Sequence, residues 1–325
     1  MSEERSIGLS ALGYCLPRAS HSVEELARSA RTTSAPDKLR YLGFGAVSIA
    51  ETETSLDLAR GAVDDLVRRS GFDLQKVDLI IYAAGVGTSH IVDPPPGYDA
   101  YHAHNPLPLF RFPGTRLALE LGLPKVPVFG GSQLACSAFH GAVRMARALI
   151  ASETDIEHVL CVAADKFPTE ANREIVYNLM SDGACAGVVS RRTERNRIRA
   201  MRHVTRGVYW DGEASHDQLI AGFFPLVRDT ILETVAHAGW TMADIDRLIP
   251  HNVNQKCWEI IGQMVGTPAE RMYTKNIARI GHAVSSDNVI NYLDAIDEGF
   301  VNPGDKVAWF VTGFGAHWTC MVLEA

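Results

Sequence analysis

The chain has 325 residues, 46% hydrophobic and 21% charged, and a formal net charge of -7 at pH 7. Such a composition is typical of a globular protein and is sufficient for two sizeable cores. The sequence lacks an apolar run of the roughly 20 residues that a membrane span needs, an N-terminal signal segment and a basic cluster suited to nucleic acid. Its six cysteines are scattered without metal-binding spacing. We therefore expect a cytoplasmic enzyme that has no metal, nucleic-acid or membrane partner.

Helical and strand-like patterns alternate along the first half of the chain. Ser22 and Glu25 have the spacing of a capping box and predict a helix start. The apolar periodicity from Ser55 to Arg69 predicts a helix that ends at Gly71. Segments 31–54 and 191–199 are expected to be irregular, the latter as the connection between two halves. Strands are predicted, in chain order, at 6–16, 77–84 and 158–164, and a small-residue turn within 180–189 leads into a further strand.

The second half repeats the first. The pair Gly71-Phe72 recurs 168 residues later as Gly239-Trp240, and Val77-Asp78 recurs as Ile245-Asp246 at the same offset. The helix after residue 136 and the strand at 158–164 have counterparts at 286–296 and 306–311. A duplicated unit of this size predicts two similar layered halves, with equivalent strand ends meeting across a pseudo-twofold axis.

A cysteine precedes one of these helices. Small residues lead to Cys136, and apolar residues then follow at helical spacing, from Phe139 to Ile150. Unpaired backbone N–H groups and the helix dipole at such a position favour a thiolate. Most cysteines at helix starts are packing residues, so Cys136 by itself is weak evidence for catalysis.

Three further motifs follow predicted strands or turns in the second half. They are Pro250-His251-Asn252-Val253-Asn254, Gly281-His282 with Asp287, and the loop Gly313-Phe314-Gly315. A thiolate attacks thioesters, an imidazole stabilises or deprotonates it, and backbone N–H groups bind the oxyanion. The combination therefore predicts acyl transfer through an acyl-cysteine.

The motifs resemble those of the β-ketoacyl-acyl-carrier-protein synthase III family of the thiolase superfamily. The similarity runs from Gly13-Tyr14-Cys15-Leu16-Pro17 through Ala135-Cys136-Ser137 and Ser181-Asp182-Gly183-Ala184 to the C-terminal glycine loop. It implies an α/β thiolase fold of five αβαβα layers and a homodimer. It also implies that Cys136 is the acylated nucleophile and His251 the first catalytic histidine. We expect two thiolase-like halves, at 1–192 with the cysteine and 193–325 with the histidines.

Four departures from the family pattern affect the predicted site. His282 replaces an asparagine, so the catalytic set becomes Cys136, His251 and His282, with Asn254 and Asp287 in support. The coenzyme A-binding Trp and Arg-Thr-Gly have no match in the segment 41–45. The 88–110 loop is longer than usual and is expected to shape the acyl tunnel or the dimer contact. Phe314 interrupts the glycine turn.

The donor is expected to be an acyl-CoA or an acyl carrier protein, with no permanently bound cofactor. Lys256 is a candidate contact for the carrier or its phosphopantetheine, or a solvated surface lysine. Three functions stay open, two of which begin with acylation of Cys136. Transfer to a small-molecule hydroxyl or amine is slightly favoured, because His282 can act as a base whereas asparagine cannot; the pattern resembles synthase-III-like acyltransferases of specialised pathways. Decarboxylative condensation with a malonyl thioester, and a non-catalytic partner subunit, are the alternatives.

Overall fold

The computed structural model describes residues 7–90, 110–211, 214–314 and 316–325. The strands are β1 Gly8–Cys15, β2 Ala19–Ser22, β3 Ala46–Ile49, β4 Leu79–Ala83, β5 Val128–Gly131, β6 His158–Asp165, β7 Glu174–Ile175, β8 Asn178–Leu179, β9 Gly183–Ser190, β10 Arg197–Thr205, β11 Arg247–Pro250, β12 Lys306–Gly313 and β13 His317–Glu324. The helices are α1 Val23–Arg28, α2 Pro36–Tyr41, α3 Ser55–Ser70, α4 Pro113–Glu120, α5 Ala138–Ser152, α6 His216–His237, α7 Gln255–Val265, α8 Asn276–Ile280 and α9 Asp287–Asp297.

A nine-stranded sheet of order β11-β12-β13-β10-β1-β9-β6-β4-β5 runs through the molecule. It consists of two half-sheets, which meet where β1 pairs with β10 at Gly8 and Arg197. Within each half, parallel pairs (β4 with β5 and β6, β11 with β12) continue into antiparallel ones. Each half therefore has the mixed topology expected of one copy of a duplicated unit.

Three apolar clusters show how the layers stack. Helices α5 and α9 are packed between the two half-sheets in one shared core. Helices α3 and α4 cover the outer face of the first half-sheet, and α6 and α7 cover the outer face of the second. The order is helix, sheet, helix, sheet, helix, which confirms the predicted five-layered αβαβα thiolase architecture.

The duplication read from the sequence is present in the structure. Strand β4 begins at Leu79 and β11 at Arg247, and the single turns before them begin at Leu74 and Met242, all at the offset of 168. The later pairs α5 and α9, and β6 and β12, also occupy equivalent positions in the two halves. The residues that follow the equivalent strands β4 and β11, Gly85 and His251, come together at one cavity.

Local sequence signals predicted the start of α1 and the end of α3 correctly. Ser22 and Glu25 form a capping box at α1, and Thr54 and Asp57 form another at α3. Helix α3 ends at Gly71, whose φ of 66° is in the left-handed region.

Two expectations of irregular structure were wrong. Segment 31–54 contains α2, begun by Pro36 at its first turn, and β3, which pairs with β2. Segment 191–199 contains the start of β10, where the arginines Arg197 and Arg199 alternate with buried residues. These elements have few residues with visible periodicity, so tertiary packing defines them. The proposed boundary between 192 and 193 falls in the turn before β10 and stays a prediction.

The 88–110 loop lies almost wholly outside the described residues, so its predicted role is not tested. Within the described ranges, no helix is long and apolar enough to cross a membrane.

Candidate active site

Cys136 lies in a sharp strand-to-helix turn. A single 3-10 turn, Ala135–Ser137, follows β5 and leads directly into α5, as the sequence predicted. Ala135 has a φ of 43°, an uncommon conformation for a residue with a side chain. A Cβ added to Gly85 would lie 2.5 Å from the Ala135 carbonyl oxygen, and one added to Gly313 would lie 2.4 Å from that of Leu134. The turn is therefore held between two strand ends, where glycine is required.

His282 contacts Cys136 directly. Its Nε2 lies 3.1 Å from the Cys136 Sγ, and both side chains are buried. Gly281, with a φ of 60°, makes the turn before it, and the His282 backbone N–H donates to the Leu179 carbonyl over 2.8 Å. The imidazole is thus fixed to one side of the sulfur.

Asp287 fixes the other side of the His282 ring. Its Oδ2 lies 2.5 Å from His282 Nδ1 and accepts the Asn252 N–H at 2.6 Å, while its Oδ1 accepts the Ala283 N–H at 2.7 Å. The residue is also the first of α9, where negative charge is favourable. Asp287 therefore orients His282 directly and completes a Cys–His–Asp chain.

His251 lies at the exit of β11. Its backbone N–H donates to Phe310 on β12, and Trp258 donates its indole N–H to the His251 carbonyl. The His251 and His282 ring centroids are 5.5 Å apart. Within the described part of the chain, neither ring nitrogen of His251 has a hydrogen-bond partner. They are available to a substrate.

The two histidines differ in charge. Burial by itself lowers the pKa of His282, but the charges of Asp287 and Cys136 raise that pKa well above its ordinary value. Burial, and then the neighbouring His282, hold the pKa of His251 well below its ordinary value. These shifts favour a protonated His282 beside the sulfur and a neutral His251 that can donate one N–H.

A cavity of about 340 Å³ opens onto these side chains. Cys136, His251 and His282 line it, and no Asp, Glu, Lys or Arg is among its lining residues in the described ranges. Its apolar wall includes Phe167, Tyr177, Leu219, Phe223, Phe224 and Phe314. The pocket suits an uncharged acyl group.

The other predicted site residues lie around this cavity or beside it. Gly313 and Phe314 line it, and Gly315 is outside the described residues. Asn254 also lines it, and its side chain caps α7 by accepting the Cys257 N–H. The Lys256 ammonium pairs with Glu259 at 2.9 Å and lies 5.3 Å from the Tyr41 ring centroid. Lys256 is absent from the cavity lining.

Sequence reasoning missed the residues that hold the pocket wall in place. Asp165, at the end of β6, accepts the N–H groups of Gly85 and Val86 at 2.7 and 2.9 Å. Asp182 pairs with the buried Arg173 at 2.6 Å and accepts the Phe167 N–H. The available signals were an acidic residue at the end of the predicted strand for Asp165, and the family motif Ser181-Asp182-Gly183-Ala184 for Asp182. Among the described residues, no group of three or more His, Cys, Asp or Glu could hold a metal ion.

Comparison with known proteins identifies relatives of this arrangement. Residues 132–207 match the family model of 3-oxoacyl-[acyl-carrier-protein] synthase III, and residues 235–325 match its C-terminal model. The chain is 25% identical to β-ketoacyl-[acyl-carrier-protein] synthase III 3 of Streptomyces coelicolor, over 98% of this chain and 97% of the relative.

Two solved structures show the same fold. The 3-oxoacyl-[acyl-carrier-protein] synthase III of Aquifex aeolicus superimposes with a TM-score of 0.81 at 21% identity, covering 98% of this chain and 100% of that one. ChlB3, named an acyltransferase, superimposes with a TM-score of 0.82 at 21% identity, covering 98% of each chain.

Proposed function

The chain belongs to the 3-oxoacyl-[acyl-carrier-protein] synthase III family of the thiolase superfamily, and we propose that it transfers an acyl group through Cys136 to a hydroxyl or amine acceptor of specialised metabolism. The observation that carries this proposal is the connected chain from the Cys136 sulfur through His282 to Asp287. This arrangement is the nucleophile–base–carboxylate logic of enzymes that acylate and deacylate a side chain.

In the first half-reaction the Cys136 thiolate attacks the carbonyl carbon of an acyl thioester. The C–S bond to the donor breaks, and the departing thiolate takes the proton of His282. The Cys136 N–H and the loop that begins at Gly313 are the proposed oxyanion donors. The acyl chain then occupies the apolar cavity. His282 is left neutral beside a thioester.

Acylation prepares His282 for the second half-reaction. Burial lowers the pKa of His282, whereas Asp287 and then the negative charge of Cys136 raise it. When the sulfur is acylated that contribution is lost, so the neutral imidazole can take a proton from the acceptor. The acceptor oxygen or nitrogen attacks the carbonyl, and Cys136 leaves as a thiolate beside protonated His282. The resting ion pair is restored.

One observation favours the alternative, decarboxylative condensation with a malonyl thioester in fatty acid or polyketide synthesis. His251 is neutral and faces the cavity with both ring nitrogens open. An N–H there can donate to the thioester oxygen on which negative charge develops as carbon dioxide leaves. Condensation therefore makes specific use of His251, and both reactions share the acyl-Cys136 intermediate. The retention of Cys136, His251 and His282 in one cluster argues against a non-catalytic subunit.

The donor is proposed to be a coenzyme A or carrier-protein thioester, used as a substrate with no resident cofactor. Lys256 is the proposed carrier contact, and its ion pair with Glu259 would have to open. A homodimer is proposed because β5 is an open edge of the nine-stranded sheet and its Phe129 is 44% exposed.

The test is the intact mass of the protein after incubation with a panel of acyl-CoA and acyl-carrier thioesters, beside Cys136→Ala. A mass increase of one acyl group that the variant lacks would support the acyl-enzyme and identify the donor. The isolated acyl-enzyme is then mixed with hydroxyl acceptors, amine acceptors or malonyl thioester. If malonyl thioester releases carbon dioxide, and neither hydroxyl nor amine acceptors deacylate the enzyme, condensation is the activity and the proposed acyl transfer is refuted. No adduct with any donor would refute both.

A further inference from the structure

A polar stripe runs along α5 away from the nucleophile. Ser137 precedes the helix, and His140 and Arg144 follow at spacings of three and four residues, so the three share one helix face. Ser137 and His140 are buried, whereas Arg144 is exposed. The remainder of the buried face of α5 is apolar. The stripe thus leads from the active site towards solvent.

The sheet presents matching polar residues to this helix layer. His203 on β10 is directly opposite Thr319 on β13, and Thr319 is opposite Val311 on β12. Residues opposite one another project from the same face of a sheet. Val311 packs against Cys136, and Trp309, two residues before it, has its ring centroid 6.1 Å from that of His140. The row from Val311 to His203 therefore lies on the face that bears the nucleophile.

In the described part of the chain, the polar atoms of this tract, which consists of Ser137, His140, His203, Trp309 and Thr319, have no protein partners. In the described chain no hydrogen-bond partner exists for Ser137 Oγ, Thr319 Oγ1, Trp309 Nε1, or either ring nitrogen of His140 and His203. Buried polar atoms are bonded to protein or to internal water in almost all folded proteins. A group of orphaned atoms in one layer is the pattern that internal water satisfies.

The tract is linked to the catalytic histidine at one end and to the surface at the other. Burial, then His203, lower the pKa of His140 to about 3, and His140 is among the groups that lower the pKa of His251. Burial, and then the neighbouring Arg144 and His317, lower the pKa of His203 to about 4. Neutral imidazoles accept a proton on one nitrogen and release one from the other, so they can relay protons through water.

We propose that Ser137, His140, Thr319 and His203 line a buried, hydrated path that carries protons between the active site and solvent while substrates fill the pocket. This role rests on the proposed acyl chemistry, in which the need for such a path depends on the acceptor. A hydroxyl supplies the proton that restores His282, so the turnover is neutral. An ammonium acceptor releases one proton.

Condensation takes up one proton instead. The C–C bond of the malonyl carboxylate breaks, and its electron pair forms the new C–C bond as Cys136 leaves as a thiolate. Since the His282 proton departed with the first thiol, one proton must enter from solvent. The path supplies it without opening the pocket.

The hydration itself is tested by high-resolution crystal structures of the wild type and of His140→Leu. Ordered waters bonded to the His140 and His203 nitrogens in the wild type, and displaced in the variant, are expected. Ring nitrogens bonded directly to protein groups, or a dry tract, would overturn the proposal. This measurement does not depend on the reaction, so it separates failure of the path from failure of the proposed function.

The conduction is tested by two reactions of the same acyl-enzyme. Each turnover with malonyl-CoA takes up one proton, whereas acyl exchange onto the thiol N-acetylcysteamine takes up none. Over repeated turnovers, His140→Leu and His203→Leu are expected to slow steady-state carbon dioxide release by about tenfold or more and to leave steady-state acyl exchange unchanged, with His237→Leu, at an exposed position, as the control. Added imidazole should restore the rate of carbon dioxide release in His203→Gly. An equal loss of rate in both reactions, or no loss in either, would overturn the proposed proton conduction. If malonyl-CoA is not a substrate, the rate of proton release with an amine acceptor is compared with the rate of acyl exchange instead.

Discussion

Replacing the Asp287 carboxylate by an amide of the same shape should slow the chemistry of Cys136 much more than it weakens the fold. The carboxylate is the strongest of the influences that raise the pKa of His282 against the opposing effect of burial. In Asp287→Asn the imidazole loses its anionic partner, so it is less often protonated beside the sulfur. The thiolate is then less stabilised, and His282 is also less firmly oriented as a base.

The structure sets the expected magnitude. His282 Nδ1 and Asp287 Oδ2 are 2.5 Å apart, and unit charges centred about 4 Å apart interact by about 4 kcal/mol at an effective dielectric constant of about 20. This energy corresponds to about a thousandfold in the protonation equilibrium of the ring, an upper bound for the loss. We expect alkylation of Cys136 at pH 7 to slow by roughly a hundredfold. The amide also leaves one of three donors unpaired, which costs about 1–3 kcal/mol of stability.

The assay is the rate of iodoacetamide alkylation, followed by intact mass from pH 5 to 9. Asp294→Asn is the matched control, because Asp294 lies on the same helix and accepts hydrogen bonds from Tyr14 and Asn276 away from the cavity. It should lose stability without losing reactivity. A folded Asp287→Asn protein with the wild-type rate and pH profile would refute the assignment of Asp287 to the catalytic chain.

Four further outcomes are expected. His251→Asn should leave alkylation of Cys136 near the wild-type rate and slow malonyl decarboxylation by about a hundredfold, because His251 does not contact the sulfur. Lowering the pH from 6.5 to 5 should reduce the free energy of unfolding by about 2 kcal/mol through His140. Burial and His203 lower the pKa of His140 to about 3, so the unfolded chain binds a proton that the folded chain rejects. Urea titrations of His140→Leu should lack this loss. Val176→Asn should raise stability by about 1 kcal/mol, since Val176 has a φ of 45°. Gly313→Ala should lower the melting temperature and alkylation rate, because its Cβ would meet a carbonyl oxygen at 2.4 Å. Slow alkylation or full decarboxylation by His251→Asn, a wild-type pH loss in His140→Leu, no gain in stability from Val176→Asn, or an unchanged Gly313→Ala protein would contradict these expectations.

The sequence predicted the fold where its signals extend over many residues. The repeat at an offset of 168 and the long apolar periodicities identified both halves and the helix after Cys136. Short elements such as α2 and β3 carry too few residues for a periodic signal. The bond between His282 and Asp287 was foreseeable from their spacing of five residues across a turn. The neighbourhood of His140 and His203 was not, because it depends on strand register and on how α5 packs across β10 and β13.

Asp287 does more than complete one triad, since its carboxylate joins the two loops that carry the catalytic histidines. It binds the N–H of Asn252, the residue after His251, and that of Ala283, the residue after His282. A charge that is buried and bonded three times is costly to remove, so the separation of the two imidazoles is set by one side chain at the start of α9. Replacing asparagine by histidine at position 282 therefore gives a base only because this carboxylate lies within reach of its ring. His282, one of the four departures from the family pattern, therefore functions as one unit with Asp287 in the proposed transfer to a heteroatom acceptor.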